Sequence, residues 1–268
     1  MEEIKIISGN NEFIFDNIGD PVGFEYPTTR TVFEDVGGEH SAEYITSKFG
    51  QRPLSFRSLL LEHRIDEYYD MQKCLAMGGL KTLKFSPRPY LDLQTEVEIV
   101  NFTSPYRHGR RPMLIEAKAA DWRFYAQQAK EKTIYATVIS GGMSIPATVP
   151  YAITSAGGLN NKVQNLGTER TPPVFTIYGP GNQFVVSNQQ TGASFTITYT
   201  LDDNDYITVS TDKGGTVIML NNLRSIYSSS AGNYFNLIPG LNDIIFFPVG
   251  GSSNTRLKLW WRDAFIGI

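Results

Sequence analysis

The sequence is poor in the residues from which catalytic and metal centres are commonly built. Of 268 residues, one is cysteine and three are histidine. Cys74 alone cannot form an intrachain disulfide, which points to synthesis in a reducing compartment. With no C-x-x-C or other acidifying context around it, it reads as a buried structural thiol. His40, His63 and His108 are far apart, and no pair has the i, i+4 spacing or the cysteine partners of a zinc site, so no metal is expected. There is no G-x-S-x-G elbow, and Gly179-x-Gly181 lacks both the third glycine and the following helix of a phosphate-cradling loop. It reads as a turn, and no cofactor and no catalysis are expected. No apolar run approaches the roughly 18 residues of a membrane helix. The start, Met1-Glu2-Glu3-Ile4-Lys5-Ile6, lacks the basic flank and apolar core of a signal peptide, so the expectation is a soluble chain folded where it is made, with no membrane partner.

Charge is scarce in one half only. Residues 1–135 hold 17 of the 24 basic and 20 of the 27 acidic side chains, which leaves 7 and 7 for residues 136–268. Neither half is the basic body expected of a protein that grips nucleic acid over a broad face.

What the chain does have is strand periodicity. In Tyr90 to Ile99, Leu91, Leu93, Thr95, Val97 and Ile99 alternate with Tyr90, Asp92, Gln94, Glu96 and Glu98, which predicts a strand with one dry and one wet face. Ser194 to Leu201 repeats the pattern with hydroxyls on the wet face. Glu3–Ile7, Glu12–Phe15, Leu54–Leu61, Leu80–Phe85 and Met113–Ala119 are further strand candidates in the first half. Asp66 as N-cap, a stripe of Tyr69, Met71, Cys74 and Leu75, and a Gly78-Gly79 stop predict a single helix over 66–77. From Tyr135 to Pro173 glycine and proline punctuate short apolar pieces, which places a domain boundary near 130–140. Beyond Pro173, Val174–Tyr178, Phe184–Asn188, Ser194–Leu201, Tyr206–Ser210, Thr216–Leu220, Ile244–Val249 and Leu257–Trp261 read as seven short strands of an antiparallel sandwich or jelly roll.

Few residues offer chemistry. Asp202-Asp203-Asn204-Asp205 lacks the glycine and distant Glu of a calcium loop and reads as a hairpin turn. Asp92, Glu96 and Glu98 share one strand face, whereas a glycosidase needs two carboxyls across a cleft. Arg107-His108-Gly109-Arg110-Arg111 is a basic hairpin between two strands, so Arg107, Arg110 and Arg111 are either a solvated loop or a contact for carboxylate groups on a partner protein. Trp260 and Trp261 are adjacent, so they point to opposite faces of a strand and at most one is in the core. The other needs a partner, which is a protein surface or a stacked sugar ring.

Several stretches together resemble the distal tail proteins of long-tailed, siphovirus-type bacteriophages. In the first half these are Leu54–Leu61, the 66–77 helix, Leu80–Phe85, Tyr90–Ile99 and the run from Ile115 to Tyr125, whose Asp121 and Tyr125 look like the family's Asp-x-x-x-Tyr turn. Trp122 stands where the family often has Pro. In the second half they are Asn165-Leu166-Gly167-Thr168, Pro173 to Gly179, Asn188, Thr191-Gly192, Pro239-Gly240-Leu241-Asn242 and Trp261-Arg262-Asp263-Ala264-Phe265. The resemblance implies a mainly β protein. Residues 1–135 would form a tail-tube-like β-sandwich or split barrel with one packed helix, and residues 136–268 a peripheral galectin-like, jelly-roll β-sandwich, with the final strand 257–266 closing either. It implies a homohexameric ring at the virion tail tip, made in the bacterial host cytoplasm. The implied partners are the tail tube protein, the tail-associated hub protein and receptor-binding or adhesion proteins, with DNA passing through the lumen unbound. The alternative is a carbohydrate-binding module that contacts host cell-wall saccharide.

Overall fold

The computed structural model describes residues 4–15, 18–24, 29–35, 42–49, 51–61, 67–76, 78–105, 110–119, 121–136, 161–211 and 215–266. The fold is mainly β, and the chain divides into two compact units. One is Met1–Gln128 with Phe265–Ile268, and the other is Ala129–Ala264.

The first unit contains β1 (Ile4–Ser8), β2 (Asn11–Phe15), β3 (Ile18–Phe24), β4 (Thr29–Asp35), β5 (Ala42–Phe49), β6 (Arg52–Leu61), α1 (Tyr68–Leu75), β7 (Lys81–Arg88), β8 (Leu91–Thr103), β9 (Arg110–Ala119) and β10 (Phe124–Ala126). Its main sheet runs β2-β1-β7-β8-β9-β6-β3, with β10 also on β8, while β4 and β5 pair with each other. The alternation of β8 is realised in space. Leu93, Thr95, Val97 and Ile99 are buried while Asp92, Glu96 and Glu98 are exposed. The buried face meets Phe15, Phe56, Phe85 and Phe124, of which Phe85 and Phe124 pack edge to face at 5.0 Å.

The helix is shorter than its sequence signal, and Asp66 and Met77 lie outside the described residues. Glu67 takes the N-cap position without a side-chain bond to the helix, and Ala76 ends it with non-helical backbone at ψ 131°. Met71, Cys74 and Leu75 are buried and form the docked face, whereas Tyr69, the fourth residue of the expected stripe, is 70% exposed. No strand signal in the sequence marks β3, β4 or β5. Gly19, Pro21 and Gly23 interrupt the pattern of β3, and β4 and β5 carry no clean apolar alternation.

The second unit contains β11 (Lys130–Tyr135), β12 (Lys162–Asn165), β13 (Val174–Tyr178), β14 (Gly181–Asn188), β15 (Ala193–Leu201), β16 (Tyr206–Ser210), β17 (Val217–Leu220), β18 (Arg224–Ser225), β19 (Ser230–Gly232), β20 (Gly240–Val249) and β21 (Arg256–Trp261), and the division between the units falls within β22 (Ala264–Phe265). Two antiparallel sheets, β11-β21-β13-β16-β17-β18 and β12-β20-β14-β15-β19, share one core. Phe175 of the first meets Phe195 of the second edge to face at 5.4 Å. Ile134 on β11 pairs with Leu257 and is buried in this core, which places 130–135 in the sandwich. β21 lies between β11 and β13 in the second unit, and Phe265, which belongs to the first, packs on the core of that unit. Buried Arg52 lies 4.2 Å over the Phe124 ring and donates to the Ile266 carbonyl.

No helix among the described residues is long and apolar enough to cross a membrane.

Candidate functional site

Three of the sequence stretches that carry the family resemblance are polar fixtures of the backbone. In the first unit Asp121 is 2% exposed and accepts from Arg123 through the backbone N–H at 3.1 Å, Nε at 3.0 Å and Nη2 at 3.1 Å. The Tyr125 phenol donates to its other oxygen at 2.5 Å. A buried carboxylate satisfied in this way fixes the turn between β9 and β10.

In the second unit Asn165-Leu166-Gly167 meets Asp263-Ala264. The Leu166 N–H donates to Asp263 Oδ1 at 3.0 Å, and Lys130 Nζ pairs with Asp263 Oδ2 at 2.6 Å. Asn165 donates to the carbonyls of Glu169 and Leu237 and accepts from the Gly167 N–H. Gly167 is required sterically, because a Cβ there would sit 1.9 Å from the Ala264 carbonyl oxygen. In a third fixture Asn188 donates to Asn242 Oδ1 at 2.9 Å, and both residues are fully buried. Asn242 also bridges the Ile238 N–H and the carbonyls of Ile238 and Gly240, closing the entry to β20. These amides do for loops what a ladder does for strands.

The residues singled out for contact fall in different places. Arg107 lies outside the described residues. Arg110 opens β9 opposite Leu61, and Arg111 follows opposite Leu60, with its guanidinium stacked 4.2 Å over the Tyr68 ring. The two tryptophans separate as strand geometry requires. Trp261 is 5% exposed in the sandwich core and donates to the Gln164 carbonyl, while Trp260 is 41% exposed on the outer face.

That outer face holds further residues the sequence reading did not single out. Tyr135, Arg256, Tyr178 and Tyr206 form one rung across β11, β21, β13 and β16. The Arg256 guanidinium lies 4.3 Å over Tyr178, and the Tyr178 and Tyr206 rings are 5.9 Å apart. Lys258, on the next rung, pairs diagonally at 2.8 Å with Glu131, which stands opposite Trp260, and that hydrogen bond raises the lysine above its ordinary pKa. Arg262 lies 5.4 Å over Trp260, and burial lowers its pKa. The signal was present as Arg256-x-Lys258-x-Trp260-x-Arg262, a row at strand period. Among the described residues no group of three or more His, Cys, Asp or Glu is placed to hold a metal.

Residues 166–265 match the family model described as siphovirus-type tail component, C-terminal domain. Residues 166–265 thus carry the C-terminal domain of a siphovirus-type tail component. The matched span contains two of the three fixtures and most of the cation–aromatic face. No curated protein matches the chain. Among solved structures it resembles the Dit protein of phage SPP1, described as a paradigm of the hub adsorption apparatus in Gram-positive-infecting phages. The two share 11% identity over 98% of this chain and 99% of that one, with a TM-score of 0.62, which is a likeness of fold. Two structures of the phage P2 baseplate in its activated conformation also match. The one with Ca has 11% identity and a TM-score of 0.43, and the one with Sr has 13% and 0.42, each covering 97% of this chain and 98% of that one.

Proposed function

We propose that six copies of this chain form a ring joining the tail tube to the tail-associated hub at the tail tip, and that adhesion or receptor-binding components attach around its rim. The observation that carries this reading is the family match over residues 166–265, joined by likeness of fold to the SPP1 Dit protein along nearly the whole chain. On this reading the first unit builds the ring and the lumen, and the sandwich stands at the periphery. The acidic excess of residues 1–135 supports a lumen that lets DNA pass, because a net-negative wall does not hold a polyanion. The chain is made in the cytoplasm of the bacterial host and works by assembly.

Light scattering of the purified chain, alone and with tube and hub proteins, tests the ring by mass. A sixfold species is the expected outcome. A strict monomer under assembly conditions would overturn it.

A further inference from the structure

We infer that neighbouring copies of the chain meet head to tail in the ring, with Tyr90 of one copy seated in a cleft between α1 and β8 of the next. This rests on the ring reading and names its contact.

Tyr90 closes the turn between β7 and β8. Among the described residues, three that are not glycine have positive φ, namely Asn221, Asn222 and Tyr90, the last at 67°. Asparagine tolerates left-handed backbone, whereas an aromatic residue is strained by it. No burial of the ring compensates, because Tyr90 is 104% exposed. Glycine would relieve the strain, so the ring is kept for what it meets outside its own chain. The tip around it is stiff. Pro87 and Pro89 fix the backbone on either side of Arg88, and Leu91 packs on the core of the first unit. A tyrosine held in this way loses little entropy on docking, and tyrosine is among the side chains that anchor protein interfaces.

The receiving cleft lies toward the other end of β8. Gln72, Leu75 and Ala76 on the helix side, with Ile99, Asn101 and Phe102 on the strand, line an open cleft of about 270 Å³. An apolar cavity of about 150 Å³ accepts benzene, so this one has room for a phenol ring and its hydroxyl. Buried Leu75 and Ile99 give it apolar lining, and exposed Gln72 and Asn101 supply amides for the phenolic O–H.

Separation makes the contact heterologous. Tyr90 and Asn101 stand eleven residues apart along one strand, about 36 Å at ~3.3 Å per residue, so the tyrosine cannot enter the cleft of its own chain. Two different patches that fit each other generate a ring where the rotation closes. In a sixfold ring the successive contacts stand at the corners of a hexagon, whose radius equals its side, so they lie about 36 Å from the axis.

Analytical ultracentrifugation of the full chain under assembly conditions, with the variants Tyr90→Gly and Gln72→Trp, tests the contact. Each change alone should weaken self-association at least tenfold, while Tyr90→Gly melts no lower than wild type because its turn is relieved. Mixing the two variants is the sharper measurement. Tyr90→Gly keeps its cleft and Gln72→Trp keeps its tyrosine, so one contact forms, and the mixture should give a pair that grows no further. Should Gln72→Trp unfold the first unit, Asn101→Trp blocks the same cleft. A mixture that stays monomeric, or one that assembles the full ring, would each overturn the contact. The two readings fail separately: a ring indifferent to both changes sinks the Tyr90 contact alone, and a wild-type chain that stays monomeric sinks the ring reading beneath it.

Discussion

The phenol of Tyr125 donates to the buried carboxylate of Asp121 at 2.5 Å, and the guanidinium of Arg123 lies on the same carboxylate. A motif first read from sequence as a turn is thus a buried ion pair with a third donor. Removing one partner of such a pair leaves a charge without compensation. Asp121→Ala should therefore destabilise the first unit by about 3–5 kcal/mol, and Tyr125→Phe by about 1–2 kcal/mol. The fluorescence of neighbouring Trp122 in urea follows this, and equal midpoints for wild type and Asp121→Ala would refute the assignment.

At Gly167 the constraint is steric. An added methyl carbon would overlap the Ala264 carbonyl oxygen, so Gly167→Ala must displace the segment that leads from β21 to β22. The expected cost is about 3 kcal/mol, at the upper end for overpacking a rigid site. Thermal unfolding of the variant would show it. A melting temperature within a degree or so of wild type would mean that the two loops part without penalty.

Burial pushes the Cys74 thiol above its ordinary range, with Asp70 adding to the shift. A group whose folded pKa is raised contributes stability that is whole below the unfolded thiol's value and is lost as pH rises through the folded one. Stability of the first unit should accordingly decline above about pH 8.5, and Cys74→Ala should flatten that decline. Alkylation of the native chain at neutral pH should be slow, and rapid labelling without unfolding would contradict the buried position.

Trp260 and Trp261 should separate cleanly on mutation. Trp261→Ala opens the sandwich core and should cost about 3–5 kcal/mol, whereas Trp260→Ala on the surface should cost under about 1 kcal/mol. A glycan array on the full chain discriminates the sugar-binding alternative. Saturable saccharide binding lost in Trp260→Ala would establish that alternative, while an array without signal agrees with protein contact.

Much of the sandwich was legible because strand periodicity is local. Val174–Tyr178 and Tyr206–Ser210 have the bounds the sequence predicted, and Leu257, Leu259 and Trp261 lie on the inward parity of one strand. The pairing of β4 with β5 was not legible, since neither strand carries an apolar alternation to betray it. The cation–aromatic face was half legible. Its row on β21 has strand period, but Tyr135, Tyr178 and Tyr206 join it only through pairing between distant strands.

By itself the sequence determined the β class, the buried stripes of β8 and β15, the helix face of Met71 and Cys74, and the order of the family's turns, all properties of neighbouring residues. Only the tertiary structure decided that Leu166 would bond Asp263 across 97 positions, and that β21 would lie between β11 and β13. The physical reason is that a side chain's inward or outward parity follows from the backbone it sits on, whereas the partner of a sheet edge or a loop amide is chosen by global packing, in which many pairings compete and the buried polar group that finds its hydrogen bond decides.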